Sequence, residues 1–521
     1  MTNITASQPS KGSTSRLTIQ GAEIQAEVEA AIENLGAERL DIERLLIPIK
    51  ENALSRQHLS VLLKQAWDRL RKLRDDLADL TAQRTADAEI TELIARAASA
   101  LQTGQSFSFE NAWQALEAAS GACLEHEGPP ETAASILAMQ GKVAALRQKY
   151  LIAGEHYAGA AKTPGLSIVL QWQYLHEQAL ILADLGREFG DKAALAQAIS
   201  LLENEVLDLA QVNLRPADWA TTQNSLGNVY GILGQRQNGT RNLENSIAAF
   251  KASLEKRDHE LAPLQWSATQ NNLGNALGIL GHRQNDEEML LESVQAFERA
   301  LEERTRDLAP QDWATTLNNL AAVLQTLGQR NKDAKMLKRS VELYKEVLQE
   351  WTRESVPLDW ATTMDNMGTA LRLLGEHRKG PRTLEQSVAA YNSALSERSR
   401  ERSSDEWAMT QNNLGAALQK LAEREENPEM LEMAVSAYEN ALKEWTVERL
   451  PMAWAMTMAN LGVARRRLAE VTEDAACATK AVEELEAVSE VFRNASHAQY
   501  SELSIDQLAQ ARKLADALAR A

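Results

Sequence analysis

The stretch that decides the fold is residues 266–281, which read WSATQNNLGNALGILG. Its large apolar side chains recur at intervals of three, four and seven residues, which places them on one face of an α-helix. They are Trp266, Leu273, Leu277 and Leu280. Pro263 suits the first turn of this helix, and Gly281 suits a left-handed stop after the last leucine. The stretch therefore predicts an amphipathic helix with a defined beginning and end.

This sequence pattern recurs along the chain at intervals of 47 residues. The tryptophans of the series are Trp219, Trp266, Trp313, Trp360, Trp407 and Trp454. A threonine follows three residues after each of them, and a second apolar helical pattern, such as the one from Leu290 to Leu301, lies between them. No alternating strand pattern interrupts the units. A period of this length predicts an all-α solenoid of two-helix units, in which the threonines and tryptophans have structural roles.

The units resemble the tetratricopeptide repeat. The resemblance lies in Leu273-Gly274 of the first helix and in the small and aromatic residues Ser293, Phe297 and Ala300 of the second. The run Asn271 to Gly274 is similar to the repeats of kinesin light chain, although the usual repeat has about 34 residues. The resemblance implies a right-handed α-solenoid of helix-turn-helix units. It also implies that the first helices line a concave groove that binds a protein or peptide partner.

Asparagine recurs five and six residues after the tryptophans, and twice at nine, although it is a poor helix former. Under the resemblance, this stripe faces the groove. A carboxamide both donates and accepts hydrogen bonds, so a row of them can bind the backbone of an extended peptide. The alternative is that these amides bridge adjacent units, and both roles can hold together. The predicted groove residues are Asn224, Asn228, Asn271, Asn272, Asn275, Asn318, Asn319, Asn366, Asn412, Asn413 and Asn460.

Two further positions of the unit vary in ways that bear on binding. Twelve residues after the tryptophans the side chain changes from unit to unit, which makes this position a source of selectivity. It is occupied by Gly231, Gly278, Gln325, Arg372, Gln419 and Arg466. Seventeen residues after them an arginine recurs, and we expect it to bind an acidic partner or the acidic ends of the second helices. These arginines are Arg236, Arg283, Arg330 and Arg424.

The sequence offers no constellation for catalysis or for a cofactor. The histidines do not recur with the unit, no phosphate-binding loop is present, and Cys123 and Cys477 have no neighbouring base. The net charge of −18 disfavours nucleic acid and anionic membranes as partners. No apolar run is long enough to span a membrane, and two distant cysteines suit a reducing compartment. We therefore expect a cytoplasmic, non-enzymatic scaffold without a cofactor.

The regions outside the units are less defined by the sequence. We expect a disordered tail over 1–20, a helical region over 21–130, the solenoid over 131–500 and a capping helix over 501–521 whose capping box begins at Ser504. Leucines from Leu63 to Leu80 follow a short a/d pattern. This pattern suits either an intrachain hairpin with residues 24–46 or a short coiled coil that forms a homo-oligomer. The alternative function is a regulatory or sensor subunit that acts through this N-terminal region.

Overall fold

The computed structural model describes residues 39, 41–42, 45–46, 59–83, 87–102, 108–237, 239–400, 403–494 and 498–520. Every regular element within these ranges is helical, which confirms the all-α prediction. The helices before the tryptophan units are α1 (Leu59–Ala82), α2 (Ala88–Gln102), α3 (Ser108–Glu125), α4 (Pro130–Leu146), α5 (Tyr150–Ala161), α6 (Ile168–Phe189), α7 (Lys192–Leu201) and the short α8 (Leu207–Ala210). A π-helical turn, Leu202–Val206, joins the last two.

The tryptophan units follow as six helix pairs, which we number units 1 to 6. They are α9 (Pro216–Gln235) with α10 (Arg241–Lys256), α11 (Pro263–Gln284) with α12 (Glu287–Glu303), α13 (Pro310–Arg330) with α14 (Ala334–Val347), α15 (Pro357–Glu376) with α16 (Arg382–Leu395), α17 (Ser404–Glu425) with α18 (Pro428–Ala441), and α19 (Pro451–Thr472) with α20 (Ala475–Asn494). Each pair contacts the next one along the chain, and α21 (Ala498–Leu518) packs on the last pair. This serial stacking is an α-solenoid.

Small residues hold the two helices of a unit close together. A Cβ atom added at Gly274 would lie 2.8 Å from the ring of Phe297, so the aromatic side chain of the second helix rests directly on the first. Beside this contact, Ser293 Oγ donates a buried hydrogen bond of 2.6 Å to the Gly274 carbonyl oxygen. The same serine-to-carbonyl bond recurs in units 1, 3 and 4. The small residues therefore allow the two helices of a unit to approach closely.

The threonines three residues after the tryptophans are buried, as predicted for a structural role. In units 1 to 5 the hydroxyl donates to the carbonyl oxygen four residues earlier, for example Thr316 Oγ1 to Asp312 at 2.8 Å. The tryptophans themselves are only half-buried. The Arg306 guanidinium lies 5.7 Å from the centre of the Trp313 ring and donates to Glu350 Oε1 at 2.5 Å. Arg353 lies in the same way 5.8 Å from the centre of the Trp360 ring, so in units 3 and 4 the half-buried ring contacts a surface arginine.

The leucines of α1 that follow the a/d pattern, which we call its leucine seam, pack against other residues of the same chain. Leu63, Leu70, Leu73 and Leu77 are fully buried, in one apolar cluster with Ile42 and residues of α2 to α4. Arg74 donates to both carboxylate oxygens of Asp41, at 2.9 and 2.8 Å. These contacts agree with the intrachain hairpin, although most of residues 24–46 and the whole predicted tail lie outside the described residues. This apolar cluster contains residues from both sides of position 130. The boundary between the N-terminal region and the solenoid that we place there therefore stays a prediction.

At the other end, the predicted capping box is wrong. Helix α21 begins at Ala498, so Ser504 lies inside the helix and its side chain is buried. Because the helix already extends over the residues before Ser504, this side chain has no helix start to cap. The helix nevertheless covers the last unit, where Arg512 Nη2 lies 2.6 Å from Glu486 Oε1.

Candidate functional site

The asparagines five and six residues after the tryptophans contact one another between successive units. Asn272 Nδ2 donates to Asn224 Oδ1, and Asn319 Nδ2 donates to Asn271 Oδ1, each at 3.4 Å. The same bond joins Asn460 to Asn412 in units 6 and 5. A nitrogen–oxygen distance of this length marks a weak hydrogen bond. Bridging between units, one of the two roles considered for these residues, therefore has direct contacts.

Other contacts of these asparagines, which form a row along the first helices, are not asparagine-to-asparagine bonds. Asn318 Oδ1 accepts from Thr363 Oγ1 at 3.4 Å, and Asn412 Oδ1 accepts from Thr457 Oγ1 at 3.2 Å. Asn413 Nδ2 donates to a carboxylate oxygen of Asp365, at 3.4 Å. Asn366 is half-buried and forms no side-chain hydrogen bond with a described residue. The row is thus a chain of weak contacts along the stacked first helices.

Unit 4 carries a buried ion pair at the place of one asparagine. Asp365 and Arg398 are each only 3% exposed, and their charged atoms lie 3.6 Å apart. Arg398 also donates to Thr362 Oγ1 at 2.9 Å and to Thr410 Oγ1 at 2.7 Å. Burial raises the pKa of the Asp365 carboxyl and lowers the pKa of the Arg398 guanidinium. The sequence suggested only an aspartate in an asparagine row; the buried arginine was not foreseen.

The two asparagines nine residues after the tryptophans behave differently. Asn228 is exposed and Asn275 is half-buried, and neither side chain has a hydrogen-bond partner in the described part of the chain. Together with Asn272 they line a cavity of about 350 Å³ between the first helices of units 1 and 2. Phe250 and Leu243, from the second helix of unit 1, contribute its apolar wall. Free amides and an apolar wall thus meet at one place.

Gly231 is one of the residues that line the cavity, and a Cβ atom at this position would lie 3.3 Å from Ser246 Oγ, which is a tight contact. A long side chain at this position would take up space in the cavity. The equivalent position carries a glutamine or an arginine from unit 3 onward. No residue that lines the cavity is acidic, and the one cation, Arg187, forms an ion pair of 2.7 Å with Asp184. The cavity is therefore suited to an uncharged side chain next to a hydrogen-bonding backbone.

The arginines seventeen residues after the tryptophans do not pair with the acidic ends of second helices in the described part of the chain, and their binding to an acidic partner stays a prediction. Arg283 donates to the carbonyl oxygens of Gly234, Gln235 and Gln237, at 2.8 to 3.0 Å. Arg236, Arg330 and Arg424 also donate to carbonyl oxygens at or just after the end of the preceding unit's first helix. The last carbonyls of a helix lack intrahelical partners and carry partial negative charge, which explains the contact. These arginines join successive helix pairs and form no ion pair with an acidic side chain among the residues that the structure describes.

The described residues offer little else for chemistry. They contain no group of three histidine, cysteine, aspartate or glutamate side chains placed to hold a metal ion. His176 is buried against the Trp172 ring with Nε2 at 2.9 Å from Ser225 Oγ, and burial lowers its pKa to about 4. No helix among the described residues combines the length and the apolar character needed to cross a membrane. The cavity and its amides are therefore the leading candidate site.

Comparison with known proteins identifies the unit. The tetratricopeptide-repeat family model matches residues 266–307 and 313–350, in units 2 and 3. The chain is similar in structure to the human IFIT1 dimer with PPP-AAAA, at 14% identity over 85% of this chain and 94% of that one, with a TM-score of 0.34. It is also similar to the TPR2AB domain of yeast Sti1 in complex with pHSP90, at 15% identity over 62% and 98%, with a TM-score of 0.21. No curated protein sequence matches the chain.

Proposed function

We propose that this tetratricopeptide-repeat chain is a non-enzymatic scaffold that binds an extended segment of a partner protein along the first helices of units 1 and 2. The repeat is typically a non-catalytic interaction module. The observation that carries the proposal is the pair Asn228 and Asn275, whose free carboxamides line the cavity. We place this function in the cytoplasm, in keeping with two cysteines that form no disulfide.

The partner's backbone is recognised by amides that the fold does not use. A carboxamide can accept one backbone N–H and donate to one carbonyl oxygen, so it tolerates any sequence. The asparagines of the bridging row retain part of this capacity, because each bridge engages one donor or one acceptor. Asn272 therefore bridges to Asn224 and lines the cavity at the same time.

The cavity gives the groove its selectivity. Ile232, which is half-buried, offers an apolar surface, and the lining lacks a carboxylate that would attract a cationic side chain. An uncharged side chain of the partner gains free energy by leaving water there, at roughly 25 cal/mol per Å² of apolar surface buried. The preferred segment accordingly carries an aliphatic or aromatic residue, flanked by residues whose side chains point away from the groove.

A selection experiment on the full-length protein tests this function. We expect random peptides displayed on phage to yield binders with a shared apolar residue. A photoreactive derivative of such a binder should label α9 and α11. Gly231→Gln should weaken the binder about tenfold or more, because the new side chain fills the cavity. The matched control, Gln325→Gly, should leave the affinity unchanged. Labelling outside units 1 and 2, or a Gly231→Gln variant that binds normally, would contradict the proposal.

The N-terminal region is not needed for this function. Its leucine seam is filled by the chain's own residues, which supports a capping role at the start of the array rather than a free coiled-coil surface. Arg69 of α1 contacts Asp184 of α6 and donates to Tyr150 Oη at 3.2 Å, which fixes the region against the first helices of the solenoid.

A further inference from the structure

The turns that enter units 1 to 3 each display an exposed leucine, five residues before the tryptophan. Leu214, Leu261 and Leu308 are 77%, 85% and 75% exposed. A single exposed leucine is ordinary on a protein surface, but three at the same place in consecutive units form a row. In units 4 to 6 this position is Ser355, Arg402 and Arg449. The row therefore belongs to one half of the array.

The leucines are held in place by the backbone. In each of these turns the residue after the leucine donates its N–H to the carbonyl oxygen four residues earlier: Arg215 to Gln211, Ala262 to Asp258 and Ala309 to Thr305, at 2.9 to 3.0 Å. Asp258 additionally accepts from the Leu261 N–H at 3.1 Å. Because the three turns share this hydrogen bond, the leucines occupy equivalent positions of the stacked units.

Acidic residues accompany the row. Glu260 and Asp307 directly precede Leu261 and Leu308, and both are exposed. Neither forms an ion pair with a residue that the structure describes. Basic side chains near the row are engaged within the chain: Arg306 donates to Glu350, and His259 Nε2 lies 2.8 Å from Glu303 while its ring stacks on Trp266. The surface around the leucines is thus apolar with unneutralised negative charge.

We infer that this leucine row is a second docking surface, whose partner is an amphipathic α-helix with an apolar stripe flanked by lysine or arginine. Stacked helices lie about 8–10 Å apart, so consecutive leucines of the row are separated by about that distance. Seven residues of an α-helix rise about 10.5 Å, which brings every seventh side chain opposite one leucine. A fully extended strand cannot match this spacing on one face, because its side chains alternate. The basic flanks complement the exposed carboxylates.

The surface is separate from the groove of the proposed function, and the two can be tested separately. The probe is a synthetic helix of about three heptads with leucine at every seventh position and lysine beside it. We expect it to bind the full-length protein, more weakly at high salt because exposed charges are screened. Two control peptides should not bind: one with the same composition but scattered leucines, and one with glutamate in place of lysine.

Protein variants locate the binding. Changing Leu214, Leu261 and Leu308 together to serine, the residue that unit 4 carries, should weaken the probe about tenfold or more and leave the melting temperature unchanged. A triple change of leucines and an isoleucine that are similarly exposed elsewhere, Leu124→Ser, Leu151→Ser and Ile505→Ser, should not affect it. Asn228→Ala with Asn275→Ala should also leave it unchanged, which distinguishes this surface from the groove.

Three results would overturn the inference. The first is equal binding of the probe to the wild type and to the Leu214/Leu261/Leu308 serine variant. The second is equal binding of the glutamate peptide. The third is self-association of the wild type in sedimentation equilibrium that the serine variant abolishes, because the row would then be covered by a second copy of the chain. A monomeric wild type that binds only the basic helix sustains it.

Discussion

Units 1 to 3 and units 4 to 6 share a backbone plan and differ in what they expose. The first half has the glycine at 231, the cavity beside it and the exposed leucines; the second half has Arg372 and Arg466 at the glycine position and polar residues at the leucine position. Conversely, the buried Asp365–Arg398 pair lies in the second half. Because the scaffold is the same, the two halves differ in the side chains that they expose and bury, and both proposed binding surfaces lie in the first half.

The largest effect should come from the ion pair of the second half. Asp365→Ala leaves Arg398 buried without its carboxylate, and we expect a loss of about 3–5 kcal/mol in the free energy of unfolding. The equivalent change in the first half, Asn271→Ala, removes a long bridging hydrogen bond and should cost at most about 1 kcal/mol. Chemical denaturation of both variants measures this. Equal losses of unfolding free energy in the two variants would mean that the residue five positions after the tryptophan has the same role in both halves.

Acid should weaken the start of the array before its end. Burial lowers the pKa of His176 to about 4, whereas the unfolded chain takes up this proton near pH 6.5. The unfolded state then binds more protons between these values, so this stabilisation is complete above pH 6.5 and is lost as the pH falls toward 4. The loss amounts to roughly 3 kcal/mol. Urea melts at pH 7 and pH 4 should show it, and His176→Gln should reduce the difference; an unchanged difference would exclude this histidine.

Removing a tryptophan of the repeat should cost a similar stability in both halves. Trp313→Ala and Trp360→Ala each remove a half-buried ring and its contact with an arginine, Arg306 or Arg353. We expect a loss of about 2–3 kcal/mol for each, below the cost of a fully buried tryptophan. Thermal melts compare the two variants. A loss confined to one of them would show that the halves differ in their framework as well as in their surfaces.

The smallest effect on stability should come from the cavity itself. Gly231→Gln replaces a poor helix former but places a Cβ atom 3.3 Å from Ser246 Oγ, so the two effects oppose each other and the free energy of unfolding should change by at most about 1 kcal/mol. Gly274→Gln is the matched contrast, because its Cβ would lie 2.8 Å from the Phe297 ring. That variant should be clearly destabilised. Equal stability of the two would show that the cavity is not open space.

The sequence predicted the features that repeat and missed those that depend on contacts between units. The 47-residue period was enough to predict the helix pairs, the buried threonines and the close contact at Gly274. The partner of Asn272 lies 48 residues away, and its identity depends on how units are staggered. Likewise, Arg398 becomes buried only when two first helices enclose it. The leucines at 214, 261 and 308 were visible as a period but not as a surface, because an apolar residue is ordinarily assigned to the core.

In the proposed function, the free asparagines bind a partner while the bridging ones hold units together. The most direct measurement determines both the melting temperature and the affinity for a selected groove peptide in two matched double variants. Asn228→Ala with Asn275→Ala should weaken the peptide by about 0.5–1.5 kcal/mol per lost hydrogen bond at an unchanged or higher melting temperature. Asn318→Ala with Asn412→Ala should lower the melting temperature slightly and leave the affinity intact. The opposite pattern, or an unchanged affinity in both variants, would contradict the account.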